Sequence, residues 1–224
     1  MINRILDLLF PRRCIGCRIR GTWLCTACEH RLARLPGDHC RRCAHPFTGT
    51  AVCARCWSDP PAFDGIVCGF LFDGTVRQAI HALKYRRARH LAHPLVDALL
   101  AVAAPSAPAD LVVPVPLHPH RQSQRGYNQA ALIARSLGER LALPVREDAL
   151  VRVRDTPPQV ALAGSARLAN LRGAFCADPS VVSGLAVLLV DDVATTGATL
   201  REAAGALKRA GARRVEAVIL ARTP

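Results

Sequence analysis

Eight of the ten cysteines in this 224-residue chain fall between positions 14 and 56, as four Cys-x-x-Cys pairs. No other feature restricts the fold as tightly. The pairs are Cys14/Cys17, Cys25/Cys28, Cys40/Cys43 and Cys53/Cys56. Each pair has the spacing that turns two sulfurs on one tight knuckle toward a single tetrahedral metal. Two knuckles complete one ion, so four knuckles make two structural Zn²⁺ sites. Four sulfurs per ion leave no open coordination position, so such a metal holds structure and performs no chemistry. A disulfide framework is the alternative, and it requires an oxidising compartment. The simplest pairing is sequential: Cys14, Cys17, Cys25 and Cys28 on one ion, Cys40, Cys43, Cys53 and Cys56 on the other. A cross-braced pairing stays open, because the gap between the first two knuckles is short for a ribbon. Cys68 and Cys176 lie outside the pattern in apolar surroundings and read as core thiols.

The N-terminal segment around Ile2, Ile5, Leu6 and Leu9 is amphipathic. Asp7 interrupts it and no small-residue cleavage site follows, so it does not read as a signal peptide. The apolar runs fall short of the ~18 residues a membrane span needs. These features predict a soluble, cytoplasmic chain with no transmembrane segment. The formal charge of +13 comes almost wholly from arginine and suggests anionic partners. Two tetrathiolate zinc sites would bring it to about +9.

Beyond Cys56 the texture changes. The turn-rich SDPPAFDG leads into alternating strands and helices, which predicts a Cys-rich module over residues 1–60 and an α/β domain over 61–224. Strands are predicted at Ile66–Phe72, Leu111–Val115, Ala149–Val153, Ala186–Val190 and Val215–Leu220. Helical stripes run through Val76, Ile80 and Leu83, onward from about Leu91, through Ala130, Ile133, Ala134, Leu137 and Leu141, and through Leu200, Ala203, Ala204 and Leu207. Strands separated by helices require right-handed crossovers and a parallel sheet, and ligands bind at the carboxyl ends of its strands.

One stretch stands at such an end: VLLVDDVATTGATL, from Val187 to Leu200. A strand ending at Val190 delivers Asp191 and Asp192 to the sheet edge. The turn after them is rich in Thr and Gly and opens a helix, the usual arrangement for holding an anion. Thr195, Thr196 and Thr199 add hydroxyls, and Gly197 permits a positive φ. Two carboxylates beside a phosphate cradle would repel that phosphate unless they faced other groups. Sugar hydroxyls are suitable donors to them, and a divalent cation fits the same place. The pattern predicts a clamp for a ribose 5-phosphate.

VLLVDDVATTGAT resembles the 5-phosphoribosyl 1-diphosphate (PRPP) signature of type I phosphoribosyltransferases, with Ala194 smaller than the aliphatic residue usual there. VPVPLHPHRQSQRGYNQA at 113–130, LKY at 83–85, the segment from Thr156 to Phe175 and the cysteine-rich start extend the likeness across the chain. Together they resemble the ComF family of ComFC- and GntX-type proteins, associated with natural transformation and use of external DNA. The resemblance implies a phosphoribosyltransferase-type parallel sheet flanked by helices, with PRPP and Mg²⁺ as ligands. It implies that Asp191 and Asp192 bind the ribose hydroxyls. The 5-phosphate would lie on Thr195, Thr196, Gly197, Ala198 and Thr199. A pyrophosphate loop of Val115, Pro116, Leu117 and His118 would follow the second strand, with Arg121, Arg125, Gly126 and Asn128 behind it. The segment 154–172 takes the place of a flexible loop, with Gln159, Arg167 and Asn170 as its candidate contacts. The zinc module is expected to serve as a hood or a docking surface.

The chemistry implied is displacement of pyrophosphate from the ribose by a nitrogen nucleophile, through a transition state resembling an oxocarbenium ion. In it the two aspartates would act as catalytic carboxylates. The acceptor, an unidentified base or amine in a housekeeping reaction, is not legible. The other reading is a PRPP-binding accessory of DNA uptake, working with single-stranded DNA and uptake-machinery proteins. Lys84, Arg86, Arg87 and Arg89, with Arg77, form a basic cluster suited to nucleic-acid phosphates. Aromatic residues are scarce at 4%, which disfavours a dedicated single-strand binder.

Overall fold

The computed structural model describes residues 11–49, 51–154 and 171–224. Four strands form one parallel sheet: β1 (Gly65–Leu71), β2 (Leu111–Pro114), β5 (Ala186–Ala194) and β6 (Arg214–Arg222). Their order is β1-β6-β5-β2, and every pair is parallel. β5 is central, and its first five residues, Ala186 to Val190, are all buried. Such a continuous apolar run is what a strand covered on both faces requires. On one face lie α1 (Gly74–Tyr85), α2 (Ala92–Leu100) and α4 (Gln129–Leu141), packed through Ile80, Leu83, Leu95, Leu99, Ile133 and Leu137 against Leu188 and Val218. On the other lies α5 (Ala198–Arg209), whose Leu200, Ala203, Ala204 and Leu207 pack on Val187, Leu189, Val215 and Ala217. The short α3 (Pro119–Arg125) follows β2, with Pro119 at its first turn and Gly126 left-handed at its end, as helix termini favour.

Three expectations are corrected. The strand expected at Ala149–Val153 does not join the parallel sheet. As β3 (Leu150–Arg152) it pairs antiparallel with β4 (Phe175–Ala177) in a separate two-stranded sheet. Its sequence explains this: Arg152 alternates with Val151 and Val153, and both valines are exposed. A strand that leaves two valines exposed has one uncovered face and so fits an open ribbon better than a doubly covered sheet. Cys176, opposite Val151 in that ribbon, is exposed and no core thiol, whereas Cys68 is buried as expected. Finally, β5 does not end at Val190. It continues through both aspartates to Ala194, because β6 keeps pairing with it there, Asp191 opposite Ile219 and Ala194 opposite Arg222.

The cysteines resolve the open pairing. Cys14, Cys17, Cys25 and Cys28 gather in one group and Cys40, Cys43, Cys53 and Cys56 in another, the sulfurs of each within 4.8 Å of one another. The pairing is sequential. Neighbouring sulfurs stand 3.7 Å apart for Cys14–Cys25, 3.6 Å for Cys17–Cys25 and 3.8 Å for Cys43–Cys53. A tetrahedron with Zn–S bonds of ~2.3 Å has edges of about 3.8 Å, so both groups fit zinc. Backbone N–H groups already point at sulfur, from Cys25 to Cys14 at 3.4 Å and from Cys53 to Cys40 at 3.3 Å. Burial raises the Cys40 thiol, but amides including that of Cys53 outweigh it and bring it to about 7, while burial drives Cys43 up. Four thiolates in one place need a cation to be stable together. Between the two sites, Leu35 N–H donates to Gly69 C=O and Leu71 N–H to Ala33 C=O, laying this module along the free edge of β1. Ile2, Ile5, Leu6 and Leu9 lie outside the described residues.

Candidate functional site: a cleft at the carboxyl ends of β2 and β5

A cleft of about 910 Å³ opens at the carboxyl ends of β2 and β5. Strand alternation presents the two acids to it from opposite faces of β5. Asp192 is buried on the side of α1, where its Oδ2 stands 2.8 Å from Lys84 Nζ. Burial works against the Lys84 charge, but the Asp192 carboxylate outweighs it and raises the ammonium's pKa. Asp191 accepts the backbone N–H of Asp192 at 2.8 Å. Burial, then the adjacent Asp192 carboxylate, pushes Asp191 up to about 7, with Lys84 and Arg152 pulling the other way. One acid is thus ion-paired and its neighbour is poised to give up a proton near neutrality, when a cation or hydroxyl donor arrives.

The turn after them has the geometry of an anion site. Gly197 is the N-cap of α5 at φ 74°, a left-handed conformation that side chains adopt at a cost. Thr196 Oγ1 accepts the Ala198 N–H at 3.3 Å. Thr195, Gly197, Ala198 and Thr199 line the cleft, and Thr196 is not part of its lining. Twelve residues of helix follow, and its N-terminal dipole faces the opening.

The opposite wall is basic. Val115, Pro116 and Leu117 line the cleft together with Arg121, Gln124 and Arg125 of α3. Arg125 donates to Gln129 through a short hydrogen bond and lies 5.3 Å from the Tyr85 ring centroid. His118 caps α3, accepting the His120 N–H at 3.4 Å on Nδ1. Asn128 is employed structurally. Its Oδ1 accepts the Ala130 N–H at 3.0 Å and its Nδ2 donates to the Val115 carbonyl at 2.9 Å, fixing the loop to the start of α4.

The basic cluster divides. Lys84 and Arg87 turn into the cleft, Arg86 is exposed, and Arg89 donates to the Gly126 carbonyl at 3.4 Å over the Tyr127 ring. Phe72, Gln124, Gln129, Arg152 and Val193 also line the cleft and escaped sequence reasoning. Arg152 projects from β3 beside Asp191, 5.5 Å from the Phe175 ring centroid. The Val-Arg-Val-Arg alternation marks Arg152 in retrospect, since period two separates arginines from valines. Gln159, Arg167 and Asn170 lie outside the described residues. None of the lining comes from the cysteine-rich segment among the described residues.

A strand-end acid pair, a helix-opening turn and a basic loop on a parallel sheet define a phosphoribosyltransferase-type domain, here carrying two four-cysteine sites. Residues 124–224 match the phosphoribosyl transferase domain and residues 5–69 the double zinc ribbon domain. The chain is 33% identical over 227 residues to the DNA utilization protein YhgH of Escherichia coli K12, across 96% of this chain and 99% of that protein. It is 31% identical to competence protein F of Haemophilus influenzae over 95% and 98% of the two chains. To competence protein ComFC of Bacillus subtilis it is 26% identical over 84% and 79%. Among solved structures, glutamine PRPP amidotransferase of B. subtilis aligns at a TM-score of 0.40 and 23% identity, over 62% of this chain and 26% of that one. The chain belongs to the ComF family of competence protein F and YhgH. No helix among the described residues is long and apolar enough to cross a membrane.

Proposed function

We propose that this protein binds PRPP with Mg²⁺ in the cleft between β2 and β5 and serves DNA uptake or the use of external DNA from the cytoplasm. The observation that carries the reading is the meeting, in one cleft, of Asp191 and Asp192 with the Gly197 turn and with Arg121 and Arg125. In this reading the acids accept the ribose hydroxyls, the turn holds the 5-phosphate and the arginines bind the diphosphate. Mg²⁺, when bound, supplies charge neutralisation at the diphosphate. Lys84 holds Asp192 in place, its Nζ 2.8 Å from Oδ2. The names of the relatives supply the link to DNA.

Transfer of the ribose to a base or amine is a second reading, favoured by Tyr85. This ring is 68% exposed at the cleft's rim beside Arg125, a platform on which a planar acceptor can stack. Calorimetry with PRPP and Mg²⁺ tests the ligand. An Asp191→Ala/Asp192→Ala variant should lose affinity by ~100-fold, two charge-assisted contacts being removed. Equal affinity in the variant sinks the clamp. A pyrophosphate-release screen over bases and amines tests transfer.

A further inference from the structure

Arg222, at the end of β6, is 4% exposed, and its Nε and Nη1 have no hydrogen-bond partner among the described residues. A buried guanidinium is costly unless anions surround it. Its backbone is pinned between strands, opposite Leu71 of β1 and Ala194 of β5, and its carbonyl accepts the Phe72 N–H at 2.8 Å. Leu220 and Ala221 both pack in the apolar cluster under α1, so the alternation of β6 breaks just before Arg222. Its side chain lies on the α5 face, where Nη1 is 3.6 Å from the place a Gly197 Cβ would occupy. The charges it experiences on that face are those of Cys43, Cys68, Cys56 and Arg55. Ala44, between Cys43 and His45, packs in one cluster with Ala194 and Ala198, which flank the turn.

A zinc ion with four thiolates carries a net charge of −2, and N–H donors to the sulfurs are its usual compensation. We propose that Arg222 is a positioning residue that joins the second cysteine site to the phosphate turn. Its guanidinium offsets the negative charge of the metal-loaded Cys40, Cys43, Cys53 and Cys56 site on one side and packs behind Gly197 on the other. Metal occupancy at that site then sets the order of the turn. The consequence for PRPP affinity rests on the function proposed above; the link itself does not.

The full-length protein tests it. Arg222→Met should speed chelator-driven release of one of the two zinc ions by ~10-fold or more and leave the other at the wild-type rate. The same substitution should raise hydrogen exchange at residues 195–199. In cobalt-loaded protein the sulfur-to-metal charge-transfer band of one site should move to lower energy. Arg222→Lys, which keeps the charge without the planar fork, should fall between, and it serves in place of Arg222→Met should that variant not fold. Zinc release or turn exchange unchanged from wild type refutes the link. PRPP affinity, measured alongside, should drop by ~10-fold. Absence of PRPP binding in the wild type would overturn the proposed function, while zinc release and exchange still decide this inference.

Discussion

The two cysteine sites have the same ligands and spacing pattern but very different neighbours. In the first, Cys14 and Cys28 belong to the large apolar cluster under α1, with Leu24, Leu32, Phe70, Val76 and Ile80 around them. The approach is close: a Cβ on Gly16 would stand 2.8 Å from Cys28 Sγ and 3.3 Å from the Thr75 methyl of α1. In the second, Cys40, Cys53 and Cys56 form a small cluster of their own with Cys43, Phe47 and Val52. That site meets the sheet domain through Ala44 and through Arg201 of α5, which pairs with Asp59 just after it. One site is therefore built into the core under α1, and the other is docked onto the turn and α5. Identical metal chemistry can thus carry global stability in one place and local order in another.

Removing one ligand from each site is the strongest way to break that comparison. Binding of structural zinc contributes ~10 kcal/mol or more to folding in small zinc domains. In Cys28→Ser the loss falls on the core, so the whole chain should melt at much lower temperature or fail to fold. In Cys53→Ser the main thermal transition should survive nearly unshifted, with one zinc lost per chain. Thermal melting with zinc stoichiometry decides it, and equal shifts in the two variants would erase the distinction.

How far was this legible in the sequence? The apolar run of β5 and the acids that follow it were readable, because a doubly covered strand and a strand-end charge pair each leave a local pattern. The pairing of the cysteines was not, since spacing alone permits two connectivities. Lys84 and Asp192 stand far apart in the chain, and only the packing of α1 brings them to 2.8 Å. Arg222 was invisible for a similar reason: its meaning comes from a break in alternation and from two elements remote in sequence. Asn128 was named from its loop alone, and its further use as a cap for the helix behind it shows only in the fold.

The side of the core that the first site supports ends in Lys84, which sharpens the comparison at intermediate size. Lys84→Met leaves Asp192 buried without its cation. Breaking such a pair costs about 3–5 kcal/mol when buried, and with the Lys84 side chain 21% exposed the lower end is expected. The pH dependence should change as well. Asp191 sits at about 7 against an ordinary 3.8, so the folded state holds its proton more tightly than the unfolded chain does. Stability therefore falls as pH rises from about 4 to 7 and levels off above that. Lys84 pulls Asp191 downward, so in Lys84→Met the decline should extend past pH 7. Urea midpoints measured from pH 5 to 9 check this; a variant profile flat above pH 7 would contradict the coupling.

The smallest effect tests the docking of the second site. Arg201 Nη1 stands 2.8 Å from Asp59 Oδ2, and its other nitrogen makes a short hydrogen bond to the Asp59 carbonyl. The Asp59 side chain is 65% exposed, so solvent screens the pair and its worth is ~1 kcal/mol or less. Arg201→Ala should lower the melting temperature by only a few degrees. Its local effect should be larger than its global one, because Arg201 lies in the first turn of α5, close to the Gly197 turn, and its side chain ties that end of the helix to Asp59. Hydrogen exchange at residues 195–199 should rise in Arg201→Ala, though by less than in Arg222→Met, since Arg222 remains to hold the turn. An exchange increase confined to the cysteine-rich segment would mean that Arg201 anchors that segment without ordering the turn, leaving Ala44 and Arg222 as the connection between them.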